Sequence, residues 1–282
     1  MLFASDTFRT TDGLSLFTRT FRPPSHPRAV LHIAHGMFEH SGRFREAATF
    51  LAQHGILCRA YDQRGHGKSE GARGDTPSYA HLVGDLERFF DWGHQEYPDL
   101  PHFLLGHSMG GCLVLNFTIR KKPPVAGVIA SAPWLALAFR PEAWKMHLGK
   151  IVAQLWPGFT QQTDMQLSAL TRDPEQIEAY KNDTLMHTSI SARFFLEATK
   201  GAHWVMQQAD RFPVPLYLYH GTSDYVTSLS ESRKFAENVP EHLLTFEELD
   251  GMYHDIFHEL GREEVYQKML HWLEVQLPVL KA

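Results

Sequence analysis

Short apolar runs recur along this chain with room for a helix between most of them, and this alternation constrains the fold more than any other feature. The runs are Ala29 to Ala34, Ile56 to Tyr61, His102 to Leu105, Val125 to Ala130, Val214 to Tyr219 and Leu243 to Glu248. Each is near strand length, is bounded by turn residues and mostly lacks polar alternation, the pattern of strands buried on both faces. Phe44 to Gln53, Tyr79 to Glu96, Met109 to Lys121, Ser228 to Asn238 and Glu263 to Gln276 repeat apolar residues at three-to-four spacing, which predicts amphipathic helices. The β, α, β, α order calls for an α/β fold, a mostly parallel central sheet flanked by helices, with room for an antiparallel hairpin before Ala29.

The alternation fails between Pro133 and Arg211. Strand signals vanish there and amphipathic segments such as Trp144, Leu148, Ile151, Val152 and Leu155 take over. A chain of 282 residues suits one core with a sizeable insertion. The expected organisation is therefore a core of residues 1–132 and 212–282 interrupted by a helical cap, 133–211. Four of the six tryptophans (Trp134, Trp144, Trp156, Trp204) fall in the cap, more apolar surface than one core needs, although some serve only to pack it onto the sheet.

Composition removes several classes of function. With 27 Lys and Arg against 32 Asp and Glu, the net charge is -5, and nucleic-acid binding has little electrostatic basis. The two cysteines, Cys58 and Cys112, cannot build a disulfide framework, so a reducing compartment is expected. Asp6 and Arg9 interrupt the stretch a signal peptide would need to be apolar. The uncharged run Val125 to Phe139 contains Gly127, Ser131 and Pro133 and is too short to span a bilayer. These features together lead us to expect a cytoplasmic protein.

Two stretches fit Gly-x-Ser-x-Gly, Gly67 to Gly71 and Gly106 to Gly110. A nucleophilic serine needs a sharp turn between a buried strand and a helix, so that its hydroxyl stands at the strand's end and the next backbone N–H faces the reacting carbonyl. Ser108 meets that requirement, following Phe103-Leu104-Leu105 and preceding a helical run from Met109. Ser69 follows the polar turn Asp62 to Gly67 and reads as loop structure. Gly67-Lys68-Ser69 also ends like a phosphate-binding loop, but Asp62 stands where that loop requires glycine, and its charge would repel phosphates.

In this architecture an acid and a histidine follow the serine, each in a loop at the end of a late strand. Asp224 comes after Val214 to Tyr219 and His254 after Leu243 to Glu248. Asp224 would orient His254, and His254 would take the proton of Ser108. Asp250, Asp255 and His258 are close in sequence but less well placed. His254 and His258 could share a metal from one helical face, but no third ligand has the spacing, and no metal site is expected. For an oxyanion hole, Met109 supplies one N–H and Met37, after the turn His35-Gly36, supplies the second.

On these residues the chain resembles the α/β-hydrolase superfamily, and within it the monoacylglycerol lipase and lysophospholipase group. His35-Gly36-Met37-Phe38-Glu39-His40-Ser41-Gly42-Arg43, Asp62 to Gly71 and Gly106 to Gly111 are similar to that group's loops. Asp173-Pro174, Ala179 to Asp183 and Ser191-Ala192-Arg193 are similar to its cap. The resemblance implies a triad of Ser108, Asp224 and His254, oxyanion donors at Met37 and Met109, and an apolar acyl tunnel under the cap. It also puts Phe38, Glu39, Arg43 and Trp134 on the substrate side, with Glu39 and Arg43 bracing the oxyanion loop and a polar mouth. No cofactor is expected, because nucleophile, base and oxyanion hole suffice for acyl transfer to water.

The expected activity is that of a serine hydrolase cleaving the carboxylic ester of a single-chain lipid, a monoacylglycerol or a lysophospholipid. The same triad also suits a thioesterase, an acyltransferase or a small-ester esterase, and the same pocket suits a non-catalytic binding homologue. A small-molecule lipid ester is the expected partner, with transient contact of the cap (Trp134, Leu135, Leu137, Phe139, Trp144) at membrane surfaces. The choice between glycerol and phosphate head groups depends on where Arg140, Arg172 and Arg193 point, and the sequence specifies no oligomeric state.

Overall fold

The computed structural model describes residues 2–139 and 142–277. Its main sheet has eight strands, β1 (Leu2–Arg9), β2 (Ser15–Arg22), β3 (Ala29–Ala34), β4 (Ile56–Tyr61), β5 (His102–His107), β6 (Gly127–Ser131), β9 (Leu216–Gly221) and β10 (Leu244–Leu249). A separate ribbon pairs β7 (Thr160–Gln162) with β8 (Ser189–Ser191). The main order is β1-β2-β4-β3-β5-β6-β9-β10, with the β1–β2 hairpin antiparallel and every pair from β4 to β10 parallel. All residues of β3, β4, β5, β6 and β9 are buried, which is why their sequences lack alternation.

The last strand departs from that pattern. β10 lies at the sheet edge and only Leu249 of its six residues is buried, so Leu244, Phe246 and the two glutamates face partly outward. The expectation of burial on both faces fails there because no further strand covers it.

Among the described residues there are eight α-helices: α1 (Arg45–Gln53), α2 (Tyr79–Glu96), α3 (Met109–Lys121), α4 (Ala143–Leu155), α5 (Pro174–Asn182), α6 (Ala192–Met206), α7 (Leu229–Asn238) and α8 (Arg262–Gln276). One apolar layer joins Ala48 and Leu51 of α1 with Met269 and Leu273 of α8. The other joins Phe89 of α2, Leu113 and Phe117 of α3, and Phe235 of α7. Fully burying each such leucine or phenylalanine is worth about 1.5 to 3 kcal/mol. β3 lies between β4 and β5, so the chain leaves it in both directions and opens a crevice at the carboxyl ends of the strands.

Between β6 and β9 the chain forms α4, α5 and α6 and also the β7–β8 ribbon, which the apolar pattern did not foretell because Thr160-Gln161-Gln162 is polar. Phe194, Ala198, Ala202 and Val205 of α6 are buried where α6 lies on α3. Polar ties fasten this segment to the rest of the chain. The Asp75 carboxylate accepts from Ser191 Oγ (2.6 Å) and Arg193 Nε (3.2 Å), Glu197 accepts from the Tyr79 N–H (2.9 Å), and the Phe38 carbonyl accepts from the His187 N–H (3.1 Å). The tryptophans divide: Trp134 is buried and Trp204 stacks under Arg120, whereas Trp144 and Trp156 are exposed. Among the described residues, no helix is long and apolar enough to cross a membrane.

Candidate active site

Ser108 sits between β5 and α3 with φ 54° and ψ -118°, a conformation that costs a non-glycine residue on the order of 1 to 3 kcal/mol. Three backbone hydrogen bonds hold it there. Its N–H donates to the Ser131 carbonyl (2.9 Å), and its carbonyl accepts from Cys112 (3.1 Å) and Trp134 (2.8 Å). Glycine is needed at Gly110, where a Cβ would collide with the Ala34 and His35 carbonyls, and at Gly106, where it would collide with the Gly110 carbonyl. The other serine behaves as loop structure, Ser69 Oγ donating to the Asp62 carbonyl and accepting from the Phe17 N–H. Asp62 is itself buried, paired with Arg19 at 2.9 Å.

The loops after β9 and β10 bring Asp224 and His254 to this serine. His254 Nε2 lies 3.0 Å from Ser108 Oγ, and its Nδ1 lies 2.7 Å from Asp224 Oδ2. Asp224 is also gripped by groups that sequence reasoning missed. Its Oδ1 accepts from the Val226 and Thr227 N–H groups (2.7 and 2.9 Å), while Oδ2 accepts from Thr227 Oγ1 at 2.9 Å and lies 3.1 Å from His220 Nε2. Burial alone would raise the Asp224 pKa, but the His254 and His220 imidazoles outweigh it and hold the carboxylate well below its usual range. The available signal was His220 in the stretch His220-Gly221-Thr222-Ser223-Asp224.

Opposite the elbow, Gly36 packs against Ser108, and its N–H donates to Glu39 Oε1. Met37 follows, and Phe38 turns the chain with φ 72°. Met109 opens α3, so its N–H has no acceptor within the helix and lies at the positive end of the helix dipole. His107 is buried with its ring 4.9 Å from that of His254, and burial followed by the neighbouring His254 pushes its pKa down to about 3.

Glu39 is buried beside Gly36 and forms part of the cavity wall. Arg43, expected to brace the oxyanion loop and a polar mouth, is turned into that wall. Its guanidinium lies 3.9 Å from the Tyr180 ring and 3.4 Å from Asp255, and it does not line the cavity beside Ser108, because Tyr180 of the insertion covers it. Asp255 also accepts from Tyr180 Oη (2.9 Å) and lies 2.8 Å from His258 Nδ1, while His258 Nε2 donates to the Arg43 carbonyl. Burial and the Asp255 charge push the Glu39 pKa up to about 8. Asp255 stays ionised, since His258 and Arg43 outweigh its own burial. His254 and His258 do not share a helical face, because the chain there makes only a short 3-10 turn and each ring nitrogen faces a different partner. Among the described residues, no three His, Cys, Asp or Glu side chains are placed to hold a metal ion.

Ser108 and His254 open into a cavity of about 370 Å³ whose apolar wall includes Met37, Phe38, Trp134, Leu137, Phe139 and Met165. Of the arginines considered for a head group, Arg193 pairs with Asp75 and Arg172 with Glu259, and neither lines the cavity. Arg140 lies outside the described residues.

Residues 25–261 match the family model described as serine aminopeptidase, S33, a model of α/β-hydrolases. The chain belongs to this family. Within it, this hydrolase is 30% identical to human monoglyceride lipase over 264 residues, 92% of this chain and 86% of the relative. An abhydrolase domain-containing protein of Dictyostelium discoideum is 32% identical over 270 residues, 95% of this chain, although the chain spans 28% of that relative's length. The crystal structure of a Paleococcus ferrophilus monoacylglycerol lipase superimposes with a TM-score of 0.84 at 29% identity, covering 93% of this chain and 99% of the other. The hydrolase therefore has the fold expected from its alternating strands and helices, and its similarity to monoglyceride lipases extends over most of the chain.

Proposed function

We propose that this carboxylic-ester hydrolase cleaves single-chain lipid esters, with monoacylglycerols preferred, through an acyl-Ser108 intermediate. The observation that carries the reading is the Asp224, His254, Ser108 relay, with hydrogen-bond spacings of 2.7 and 3.0 Å, in the wall of an apolar cavity. As Ser108 Oγ attacks the ester carbonyl carbon, His254 Nε2 takes its proton and Asp224 stabilises the imidazolium. The carbonyl oxygen becomes an oxyanion facing the N–H groups of Met37 and Met109, each such donor being worth about 2.7 to 4 kcal/mol. The tetrahedral adduct collapses, the C–O bond to the alcohol breaks, and His254 returns the proton to the leaving oxygen. Water then attacks the acyl carbon by the same route, with His254 as base, and releases the fatty acid and free Ser108.

In this reading Phe38 and Trp134 contact the acyl chain, while Glu39 and Arg43 act from behind the oxyanion loop. Residues 133–211 form the cap; of the residues expected to touch lipid surfaces Trp134 and Leu135 are buried, whereas Phe139 and Trp144 are exposed and, with Leu148, Leu155 and Trp156, meet lipid surfaces transiently. The free, buried thiols of Cys58 and Cys112 support a cytosolic setting.

The test compares hydrolysis of a monoacylglycerol, a lysophosphatidylcholine and a short nitrophenyl ester by the parent protein and by Ser108→Ala. The monoacylglycerol should be cleaved fastest, and Ser108→Ala should lose about 10⁴-fold or more in kcat. Cleavage of the short ester alone would remove the lipid assignment, and an active Ser108→Ala protein would remove the nucleophile.

A further inference from the structure

Asp224 has one more strong donor than a serine relay requires. The His220 ring is fully buried beneath the relay, with Nε2 3.1 Å from Asp224 Oδ2 and Nδ1 2.9 Å from Ser232 Oγ on α7. A carboxylate can only accept, so Nε2 carries the proton, and the Ser232 hydroxyl can turn its own proton toward Nδ1. Thr227 Oγ1 bridges the same atoms, 2.9 Å from Asp224 Oδ2 and 3.2 Å from His254 Nδ1. Oδ2 therefore has His254, His220 and Thr227 around it, and with the two N–H groups on Oδ1 the carboxylate meets five donors where about four lone-pair sites exist.

We infer that His220 is a positioning residue for Asp224, sharing Oδ2 with His254 so that the acid is locked in place and part of its negative charge is drawn away from the His254 hydrogen bond. The inference rests on the triad reading above. A less negative Oδ2 stabilises the imidazolium that forms on His254 during the reaction less. The direction is the same whether His220 is neutral or charged, since both forms present a positive N–H to the carboxylate. The other charged and titratable groups facing His254 are His107, beside its ring, and Asp255, which is engaged with His258, Tyr180 and Arg43. Across the sheet His220 faces Glu248 of β10, whose carboxylate is held by Arg233 of α7 at 2.6 Å.

The experiment measures pH profiles of kcat/KM for the parent, His220→Phe, His220→Gln and Ser232→Ala, with Ser108→Ala as control and a melting curve for each. His220→Phe keeps a ring and loses the donor, so kcat should fall about tenfold or more with KM little changed. Its acid limb should move to higher pH, while His220→Gln, which keeps an N–H donor, should return the limb toward that of the parent. Ser232→Ala, which frees the far side of the ring, should move the limb in the same direction by less and reports on the inference if His220→Phe does not fold. Folded variants whose acid limbs all coincide with the parent's would overturn the inference while the triad stands, provided Ser108→Ala is inactive. An active Ser108→Ala protein would instead show that the triad itself is wrong.

Discussion

At the scale of single residues, Glu39 and Asp255 divide one burial problem between them. Both carboxyl groups lie in the cavity wall, and two charges so close in a dry site do not both ionise. His258, Tyr180 and Arg43 stabilise the charge on Asp255, which leaves Glu39 as the group that keeps its proton. An unfolded chain releases the Glu39 proton near pH 4.5 and the folded chain only at about 8, so stability falls as pH rises through that window. Glu39→Gln removes this loss and still offers an oxygen to the Gly36 N–H. Its melting temperature should exceed the parent's by more at pH 8 than at pH 5, with activity at pH 7 retained within about tenfold. An equal difference at both pH values would mean that Glu39 ionises as an ordinary carboxylate. Nothing in the sequence orders this pair, because Tyr180, which seats both Arg43 and Asp255, arrives from the insertion. That Ser108, Asp224 and His254 would meet was legible for the opposite reason: each comes soon after an apolar run, although β5 and β9 extend two residues past the ends of those runs.

Among the elements, α4 presents exposed Trp144, Leu148, Ile151 and Leu155 at three-to-four spacing, and Trp156 and Phe159 continue the apolar surface beyond its end. Trp and Leu on such a face partition into the interface of a bilayer. Trp144→Ala combined with Trp156→Ala should reduce co-sedimentation with phosphatidylcholine vesicles several-fold while leaving hydrolysis of a short soluble ester unchanged. Undiminished sedimentation would end the docking proposal. The core elements were readable because burial on both faces removes polar residues from a strand, and where that burial lapses, as at β10, the reading lapsed too. β5 runs on to His107 because Gly106 and His107 pair with Ala130 and Ser131, an extension set by neighbours rather than by apolar character. β7 and β8 are three residues each and mostly polar, too short for any period to show.

For the molecule as a whole, the buried histidines set the response to acid. His32 and His66 are held far below the usual imidazole range, burial being the main cause, and burial brings His102 down to about 4 and His107 to about 3. Below pH 6.5 the unfolded chain binds protons that the folded chain refuses, so stability is lost as pH falls from about 6.5 toward 4, at up to about 1.4 kcal/mol per pH unit for each such group. Glu39, Asp85 and Asp91, whose pKa values burial raises, act in the opposite sense, but His35 and His187 are also brought down to about 4 and join the four imidazoles above. The urea midpoint at constant ionic strength should therefore be lower at pH 5 than at pH 7, and equal midpoints would show that these imidazoles protonate within the fold.

The bond from the His187 N–H to the Phe38 carbonyl joins the insertion to the oxyanion loop next to Met37. Roof and floor of the cavity are therefore one mechanical unit, and drawing the chain away at His187 pulls on the turn that aims the Met37 N–H. The consequence is mechanical: any displacement of the backbone at His187 is handed directly to the left-handed turn at Phe38.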